Sequence, residues 1–475
     1  MSPSSGEQAV GSRKETMSQT LDAVSLTQAL VRMNTSNPPG NEDQCAFHLG
    51  KILEEAGFRT SYHEYRPRRT SLLASIGGAS GKPPICFTGH IDTVPLGTAP
   101  WSSNPFAAEI DSGRLYGRGR RDMKSGVASF VAAAIVLAPR LSFTAGLVLV
   151  ITAGEETGCE GAFHLAELNK MEGILGSAGA IVIAEPTSNY PIVGHKGALW
   201  VQARSRGVTA HGSMPEHGVN AIYKAAQAVN ALERFDFGVP AHPLMGRATL
   251  NVGTIRGGMN VNSVPDDAVI GIDIRTIPGQ SHSELLFRLR RHLGIDVEVT
   301  PFLDVESLHT DPSDAWVQSV YEVMTPILGE IPQPRNVSYF TDAAALTKAY
   351  SNPPSVILGP GEPQMAHQRD EYCFVSRIEQ AVDAYLQSSY IAVTNAADDA
   401  KIINLFNTGN YASLVTADGA ANTATHRSGR PGWLCGRRRR TGRRGPRRVQ
   451  RLRWRPCPGA QRTGVRLAPG LRAPP

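Results

Sequence analysis

The chain has 475 residues, of which 41% are hydrophobic and 7% aromatic, so it is long enough to bury more than one core. Its formal net charge of +6 is misleading, because residues 426–475 contain sixteen Arg and no Lys or acid, while residues 1–425 carry about −10. The net negative charge of residues 1–425 excludes a basic nucleic-acid-binding surface there. The six cysteines are scattered and form no Cys-x-x-Cys pair, which indicates a protein of the reducing cytoplasm rather than one with a disulfide framework.

Residues 1–18 show no periodic pattern and no apolar run, so a disordered extension without a secretory signal is expected. Apolar spacing then predicts helices over 21–33 and 42–56, separated by the turn-forming segment Asn37-Pro38-Pro39-Gly40. Beyond them strands are predicted over 59–65, 84–89, 145–153 and 178–184, and helices over 122–137 and 161–169. No apolar run is long enough to span a bilayer. The alternation predicts an α/β fold with a mostly parallel sheet flanked by helices.

The pattern changes after Lys196. Strands are predicted over 200–207, 248–256, 267–275 and 295–302, with helices over 218–235 and 282–292. The order β-α-β-β-α-β is that of a ferredoxin-like α+β sandwich, which indicates an inserted second domain. After about Glu306 the first pattern resumes, with helices over 313–328, from Asp342 and over 375–388, and a strand over 355–358.

These changes divide the chain into six segments. They are a disordered extension (1–18), the first part of a catalytic domain (19–196), an inserted lid or dimerisation domain (197–306), the second part of the catalytic domain (307–390), a linker or helical fragment (391–425) and an Arg-rich disordered tail (426–475). The tail lacks apolar periodicity and cannot bury a core. Two interpretations of it stay open: a segment that binds nucleic acid or an anionic surface, and a GC-rich gene read out of frame.

Candidate metal ligands follow three of the predicted strands. His90 and Asp92 come at the end of one strand, Glu155 and Glu156 follow the next, and Glu185 follows the one after. Because the carboxyl ends of parallel strands meet at one edge of an open α/β sheet, these groups are expected to converge there. Imidazole and carboxylate ligands without thiolate favour zinc, cobalt or manganese.

The set of ligands suits two divalent ions. With Asp122 as the bridge, His90 and Glu185 can hold one ion while Glu156 and His367 hold a second, roughly 3.5–4 Å away as in other co-catalytic sites. Because His367 lies near the end of the folded region, the last part of the chain must return to the first part. One sheet domain interrupted by a smaller domain satisfies this requirement.

Two further acids have roles beside the ions. Asp92 is expected to accept the other ring N–H of His90 and so fix which nitrogen faces the metal. Glu155 is the expected general base, whose proton passes to the leaving amine. The competing interpretations are structural: Asp122 could merely begin a helix, and a lone His367 in a loop could be a surface residue.

Five segments resemble the M20 metallopeptidase family, and within it the branch of acetylornithine deacetylase and succinyl-diaminopimelate desuccinylase. They are Gly89-His90-Ile91-Asp92-Thr93-Val94-Pro95, Gly117-Arg118-Gly119 to Asp122-Met123-Lys124-Ser125-Gly126, Gly154-Glu155-Glu156-Thr157-Gly158, Ala184-Glu185-Pro186 and Ala366-His367. The resemblance covers residues 20–390 and implies a dinuclear metal hydrolase that cleaves an amide beside a free carboxylate. It also implies that the second domain dimerises and closes over the substrate.

The resemblance implies further roles outside the metal ligands. His211, in Ala210-His211-Gly212, matches the histidine that reaches the partner subunit's active site and polarises the scissile carbonyl. Asn262 and Arg275 match positions that hold substrate, and the planar fork of an arginine suits a carboxylate. Gly361, in a Gly-Pro-Gly loop, is the third predicted substrate-binding residue, and its loop resembles the deacetylase pattern more than the desuccinylase one.

Arg120 and Arg121 depart from the family pattern, which has small residues before the bridging acid. Their charges would either repel the metals or recruit an anionic substrate. The sequence thus predicts a cytoplasmic, homodimeric hydrolase, without a membrane partner, that uses two divalent ions to deacylate a small N-acyl amino acid. A dipeptidase or carboxypeptidase on the same site is the enzymatic alternative. An inactive scaffold with a nucleic-acid-binding tail is the alternative from another class.

Overall fold

The helices and the longer strands lie close to where apolar periodicity predicts them. The computed structural model describes residues 22–141, 144–365 and 368–393, which all fall within one compact unit of the chain. The predicted extension 1–18, the tail 426–475, His367, and the 391–425 segment after its first three residues lie outside the described part.

Side-chain caps mark the starts of several helices. Asp22 accepts hydrogen bonds from the backbone amides that open the first helix, and Asn220 and Asp314 do the same for two later ones. In the described residues the α-helices are α1 (Ala23–Arg32), α2 (Asp43–Glu55), α3 (Ser125–Leu137), α4 (Glu160–Glu172), α5 (Ala221–Leu232), α6 (His282–Leu293), α7 (Ala315–Leu328), α8 (Ala343–Ala349) and α9 (Val375–Val393).

The strands form two larger and two small sheets in the described part of the chain. They are β1 (Arg59–Arg66), β2 (Arg69–Ile76), β3 (Ile85–His90), β4 (Ile110–Asp111), β5 (Arg114–Tyr116), β6 (Leu147–Thr152), β7 (Ala180–Ile183), β8 (Gly194–His195), β9 (Gly197–Arg206), β10 (Thr249–Gly257), β11 (Asp267–Thr276), β12 (Val297–Val305), β13 (Leu308–His309), β14 (Ser355–Ile357) and β15 (Tyr372–Phe374).

The largest sheet has six strands in the order β1-β2-β6-β3-β7-β14. Strands β6, β3, β7 and β14 are parallel, whereas β2 runs antiparallel to both of its neighbours. Alternate side chains enter opposite cores: Phe87 packs with residues of α2, α3 and α9, and Cys86 packs with residues of α4 and α8. Helices therefore cover both faces, which explains why β3 and β7 are continuous apolar runs. The predicted α/β fold with a mostly parallel sheet is confirmed.

Strand β2 is the main element that apolar periodicity missed. Its first six residues are buried, and it lies between β1 and β6. The stretch follows an Arg-rich, proline-containing turn and has no period-2 alternation, so the sequence pattern alone does not separate it from a loop.

The second large sheet has four antiparallel strands in the order β10-β11-β9-β12, and α5 and α6 pack on one face of it. The chain order β9-α5-β10-β11-α6-β12 is the predicted ferredoxin-like order. The chain enters this region after β8 and leaves it before β13, and these two short strands pair with each other. The boundaries of a lid or dimerisation domain, and its function, stay predictions.

One helical segment, Arg120–Arg140, is long and apolar enough to cross a membrane by length and composition alone. Of its most apolar window, 78% is buried inside the fold, as in the core helix of a soluble protein. Helix α3, which forms most of this segment, packs against α1 and α9. Burial within the protein therefore accounts for its apolar composition.

Candidate metal centre

The carboxyl ends of three neighbouring strands bring the predicted ligands together. Strands β6, β3 and β7 lie side by side and run parallel, so their last residues meet at one edge of the sheet. His90 is the last residue of β3, the Glu155-Glu156 pair follows β6, and Glu185 follows β7. This edge is where sites form in open α/β sheets.

The ring of His90 faces three carboxylates. Its Nε2 atom lies 3.4 Å from Oδ1 of Asp122, and 3.9 Å from both Oε2 of Glu155 and Oε1 of Glu185. The ring is buried, and Nε2 has no hydrogen-bond partner in the described part of the chain. A buried imidazole nitrogen that faces several carboxylate oxygens is suited to share a cation with them.

The ligand atoms are also close enough for a single ion. His90, Asp122 and Glu156 each offer one such atom, and these atoms lie within 4.8 Å of one another. Together with Glu185, the structure gathers all the predicted ligands that it describes, whereas His367 lies outside the described residues. Imidazole and carboxylates without thiolate form a donor set for zinc, cobalt or manganese, so the residues present fit a divalent ion.

Asp92 holds both His90 and the turn that carries the two glutamates. The Nδ1 atom of His90 lies 3.1 Å from the backbone oxygen of Asp92 and 3.3 Å from its Oδ1, so both the main chain and the side chain orient the ring. The same carboxylate accepts hydrogen bonds from the backbone amides of Glu155 at 3.1 Å and Glu156 at 3.2 Å, and from Nδ2 of Asn37 at 2.9 Å. Burial alone would raise the pKa of Asp92, but the hydrogen bonds from His90, Asn37 and Glu155 bring it below its usual value.

The remaining acids at this edge repel one another. Burial raises the pKa of Glu155 and of Glu185 well above the usual value. The charge of Glu185 also raises the pKa of Glu155, and the charge of Asp122 raises that of Glu185. Burial alone would lower the pKa of His90, yet the nearby carboxylates of Asp122 and Asp92 raise it well above 6.5. The arrangement thus favours positive charge at its centre, which a divalent ion supplies.

A turn held by Glu371 places Asp122. Glu371 is buried and accepts hydrogen bonds from the backbone amide of Gly119 and from Nη1 of Arg118. Gly119 has a φ of 78°, and a Cβ atom there would lie 2.0 Å from Cγ2 of Thr93. Only glycine therefore fits at this position, and sequence reasoning did not assign Glu371 this structural role.

Asp342 is an acid of the site that sequence reasoning missed. It stands at the start of α8, where an acid is expected to cap the helix, but its side chain makes no capping hydrogen bond. Instead it accepts a hydrogen bond from the hydroxyl of Thr152, the last residue of β6. Burial raises the pKa of Asp342 to about 6, and its charge contributes to the raised pKa values of Glu155 and Glu185. The sequence signal for it is only an acid before a short apolar helix.

Two of the residues that the resemblance singled out lie next to each other in the region of the smaller sheet. The backbone amide of Gly212, beside His211, donates to the backbone oxygen of Asn262 over 2.7 Å. Both His211 and Asn262 are exposed, and Nδ1 of His211 lies 2.7 Å from the hydroxyl of Ser213. Their predicted contacts with substrate and with a partner subunit stay predictions.

Arg275 and Gly361 have contacts within the fold. Nε of Arg275 lies 2.9 Å from Oδ1 of Asp273, an oxygen that also accepts a hydrogen bond from Nε1 of Trp200. Gly361 is buried, and a Cβ atom there would lie 2.4 Å from the backbone oxygen of Arg121. Packing beside the metal centre thus explains the glycine, and substrate binding by either residue stays a prediction.

Comparison with known sequences supports the resemblance. A model of peptidase family M20/M25/M40 matches residues 86–389. A probable succinyl-diaminopimelate desuccinylase of Staphylococcus epidermidis is 29% identical over 401 residues, which cover 77% of this chain and 96% of that protein. An acetylornithine deacetylase of Proteus mirabilis is 32% identical over 346 residues, which cover 70% of this chain and 85% of that protein.

Solved structures show the same fold. An M20 family metallo-carboxypeptidase from Sulfolobus solfataricus has a TM-score of 0.66 at 17% identity, over 78% of this chain and 99% of that one. A dinuclear metal binding peptidase of the M20 family from Bacillus subtilis has a TM-score of 0.58 at 16% identity, over 78% of this chain and 97% of that one. At these identities the similarity establishes the architecture alone.

Proposed function

Since this chain belongs to peptidase family M20/M25/M40, whose members are metallo-hydrolases of amide bonds, we propose that it removes the acyl group from an N-acyl amino acid with two divalent ions. The observation that carries the proposal is the buried Nε2 atom of His90, which faces the carboxylates of Asp122, Glu155 and Glu185. Zinc, cobalt and manganese are the ions that suit this donor set.

Five residues would hold the ions. His90 and Glu185 would hold one ion, Glu156 and His367 would hold the other, and Asp122 would be shared by both. Bound divalent ions supply Lewis-acid chemistry at the scissile carbonyl and at the attacking water.

Glu155 is the proposed general base. Its carboxylate takes a proton from the attacking water as the carbon–oxygen bond forms, and passes that proton to the nitrogen as the carbon–nitrogen bond breaks. The hydrogen bond from its backbone amide to Asp92 fixes the start of its side chain relative to His90. The products are a carboxylic acid and a free amino acid.

A dipeptidase or carboxypeptidase reaction is the second candidate. Addition to an amide carbonyl is the same in both reactions, and only the substrate pocket differs. The carboxypeptidase from Sulfolobus solfataricus has the same architecture, so the fold is compatible with this second reaction. The desuccinylase and deacetylase relatives, at 29% and 32% identity, favour a deacylase. In either reaction Asn262, Arg275 and Gly361 are the proposed substrate contacts, and Arg275 would exchange Asp273 for a substrate carboxylate.

The smaller sheet supports a homodimer. Among the described residues strand β10 is an edge strand of that sheet, and no other strand pairs with its outer side. Apolar side chains at this edge and on the adjacent α5 are exposed, including Tyr223 at 71%, Ile255 at 52% and Met259 at 88%. Pairing of two such edges would cover these side chains, and His211 would then act in the partner's site.

Buried thiols support a cytoplasmic location. Cys45, Cys86, Cys159 and Cys373 are all buried and unpaired with one another. Unoxidised thiols are typical of a reducing compartment. Binding of nucleic acid is not part of the proposal, because residues 1–425 are acidic.

A substrate screen tests the proposal. The purified full chain would be given N-acetyl amino acids, N-succinyl amino acids and dipeptides with zinc or cobalt, and amine release would be measured. Glu155→Gln is expected to keep its metals but to lose orders of magnitude in turnover, while Glu167→Gln, an exposed control, keeps full activity. Full activity in Glu155→Gln would falsify the general-base assignment, and no hydrolysis by the metal-loaded wild type would refute the proposed function.

A further inference from the structure

Four cationic side chains around the predicted bridging acid are buried. They are Arg118, Arg120, Arg121 and Lys124.

Two of these cations donate hydrogen bonds to the fold, although Nε of Arg118 has no partner among the described residues. Arg118 donates to Oε2 of Glu371 at 3.2 Å and to two backbone oxygens. Lys124 donates from Nζ to the backbone oxygens of Leu30 and Met33 at 3.0 and 2.8 Å, at the C-terminal end of α1. Buried charges in proteins are usually hydrogen-bonded or paired in this way.

Arg120 and Arg121 differ from these two. In the described part of the chain none of their guanidinium nitrogens has a hydrogen-bond partner. The two side chains also take different directions: Arg120 lies over the ring of Tyr116, 5.5 Å from its centroid, while Nη2 of Arg121 lies 3.7 Å from Oδ2 of Asp122. Only Arg121 therefore places its charge at the metal centre.

The two oxygens of Asp122 have different neighbours. Oδ1 lies 3.4 Å from Nε2 of His90, whereas Oδ2 lies near Arg121. A carboxylate that bridges two ions gives one oxygen to each. The oxygen that would go to the ion away from His90 thus already faces a fixed positive charge.

We propose that Arg121 weakens one of the two ion sites, so that the centre binds one divalent ion tightly and the second loosely. This inference rests on the proposed function, in which Asp122 bridges two ions. Arginine side chains carry a positive charge, and at this position such a charge repels a divalent ion that approaches Oδ2. Even at an effective dielectric constant of about 20, a unit charge a few ångströms from a dication lowers the binding constant by more than about a hundredfold.

The burial of Arg121 argues against the other role that its charge suggests, the recruitment of an anionic substrate. Its side chain is fully buried. Gly361 lies so close that a Cβ atom there would be 2.7 Å from Cγ of Arg121 and 2.7 Å from Cβ of Pro186. A guanidinium enclosed in this way presents no face to an incoming ligand, but its charge still acts on the ions.

Metal titration of the full chain tests the inference without any activity assay. Chelator-stripped protein would be titrated with zinc by calorimetry, and bound zinc would be counted by elemental analysis after dialysis. The wild type is expected to show two dissociation constants at least about a hundredfold apart. Arg121→Met, which removes the charge and keeps a long side chain, is expected to bring them within about tenfold.

Two control variants isolate the charge of Arg121. Arg120→Met removes an equally buried guanidinium that lies over Tyr116, and it is expected to keep the wild-type difference between the two constants. Arg121→Lys keeps the charge and is also expected to keep that difference. Circular dichroism checks the fold of each variant.

The outcomes separate the inference from the function on which it rests. Two equally tight ions in the wild type would overturn the inference even if Arg121→Met failed to fold, and would leave the proposed function intact. An unchanged difference in a folded Arg121→Met would overturn it as well. No zinc bound to the wild type would instead refute the proposed function.

Discussion

Replacing Asp92 by asparagine is expected to loosen the turn that carries Glu155 and Glu156. The carboxylate of Asp92 accepts hydrogen bonds from the amides of Glu155 and Glu156 and from Asn37, and it lies beside the ring of His90. An asparagine keeps one oxygen and turns the other into a donor, so at least one buried N–H faces another donor. Each orphaned buried donor costs about 1–3 kcal/mol, so we expect a local loss of at least about 1–3 kcal/mol.

Hydrogen exchange measures the loss of stability locally, at the amides concerned. A local measurement is needed because a chain of this size does not unfold in a simple two-state transition. Exchange at the backbone amides of Glu155 and Glu156 is expected to speed up by about five- to a hundredfold, since about 1.4 kcal/mol corresponds to tenfold. Asp296→Asn, an exposed partner of Lys224, is the matched control and should leave these amides unchanged. Unchanged exchange in Asp92→Asn would refute the reasoning that this carboxylate supports the turn.

Three further changes probe other parts of the fold. Ile255→Lys puts a charge on the exposed edge strand and is expected to shift a dimer to monomer in sedimentation velocity, whereas Ile295→Lys, which is even more exposed but lies outside that edge, should not. Asp342→Asn keeps an oxygen that can accept from the Thr152 hydroxyl but removes a buried charge that raises the pKa values of Glu155 and Glu185. Because burial raises the pKa of Asp342 to about 6, its ionised form costs stability above that pH, so the melting temperature of the metal-free variant at pH 8 is expected to rise, and a lower one would contradict this. Burial lowers the pKa of His195 to about 4 from 6.5, so the unfolded chain takes up the proton first and stability falls as the pH drops from about 6.5 to about 4. In His195→Leu the melting temperature should fall less steeply over that interval, and an equal slope would exclude His195 as the cause.

The sequence was sufficient to place His90, Glu155, Glu156 and Glu185 because each follows an apolar run that only a buried parallel strand explains. Parallel strands put their carboxyl ends at one edge, so sequence order becomes spatial proximity. Asp122, at the head of an apolar helix, was predicted with them as the bridging ligand. Periodicity and edge geometry thus predicted the sheet, the order of the smaller sheet's elements and most of the described ligands.

The features that escaped prediction depend on contacts across the fold rather than on local pattern. Asp342 has the sequence context of a helix cap, and only its contact with Thr152 shows where its side chain goes. Arg120 and Arg121 are identical neighbours in sequence, and the structure alone separates the one over Tyr116 from the one beside Asp122. Side-chain direction in an irregular segment has no period that a sequence could reveal.

The pairing of β8 with β13 has a consequence for how the chain tolerates insertions. These strands are the two passages between the large sheets, and Leu308 pairs with His195 and His309 with Gly194. The two connections between the sheets therefore form one antiparallel two-stranded ribbon and are not independent of each other. An extra residue in either passage would shift the register of the other, so length changes here must be compensated on both strands, whereas loops at the far end of the smaller sheet can vary alone.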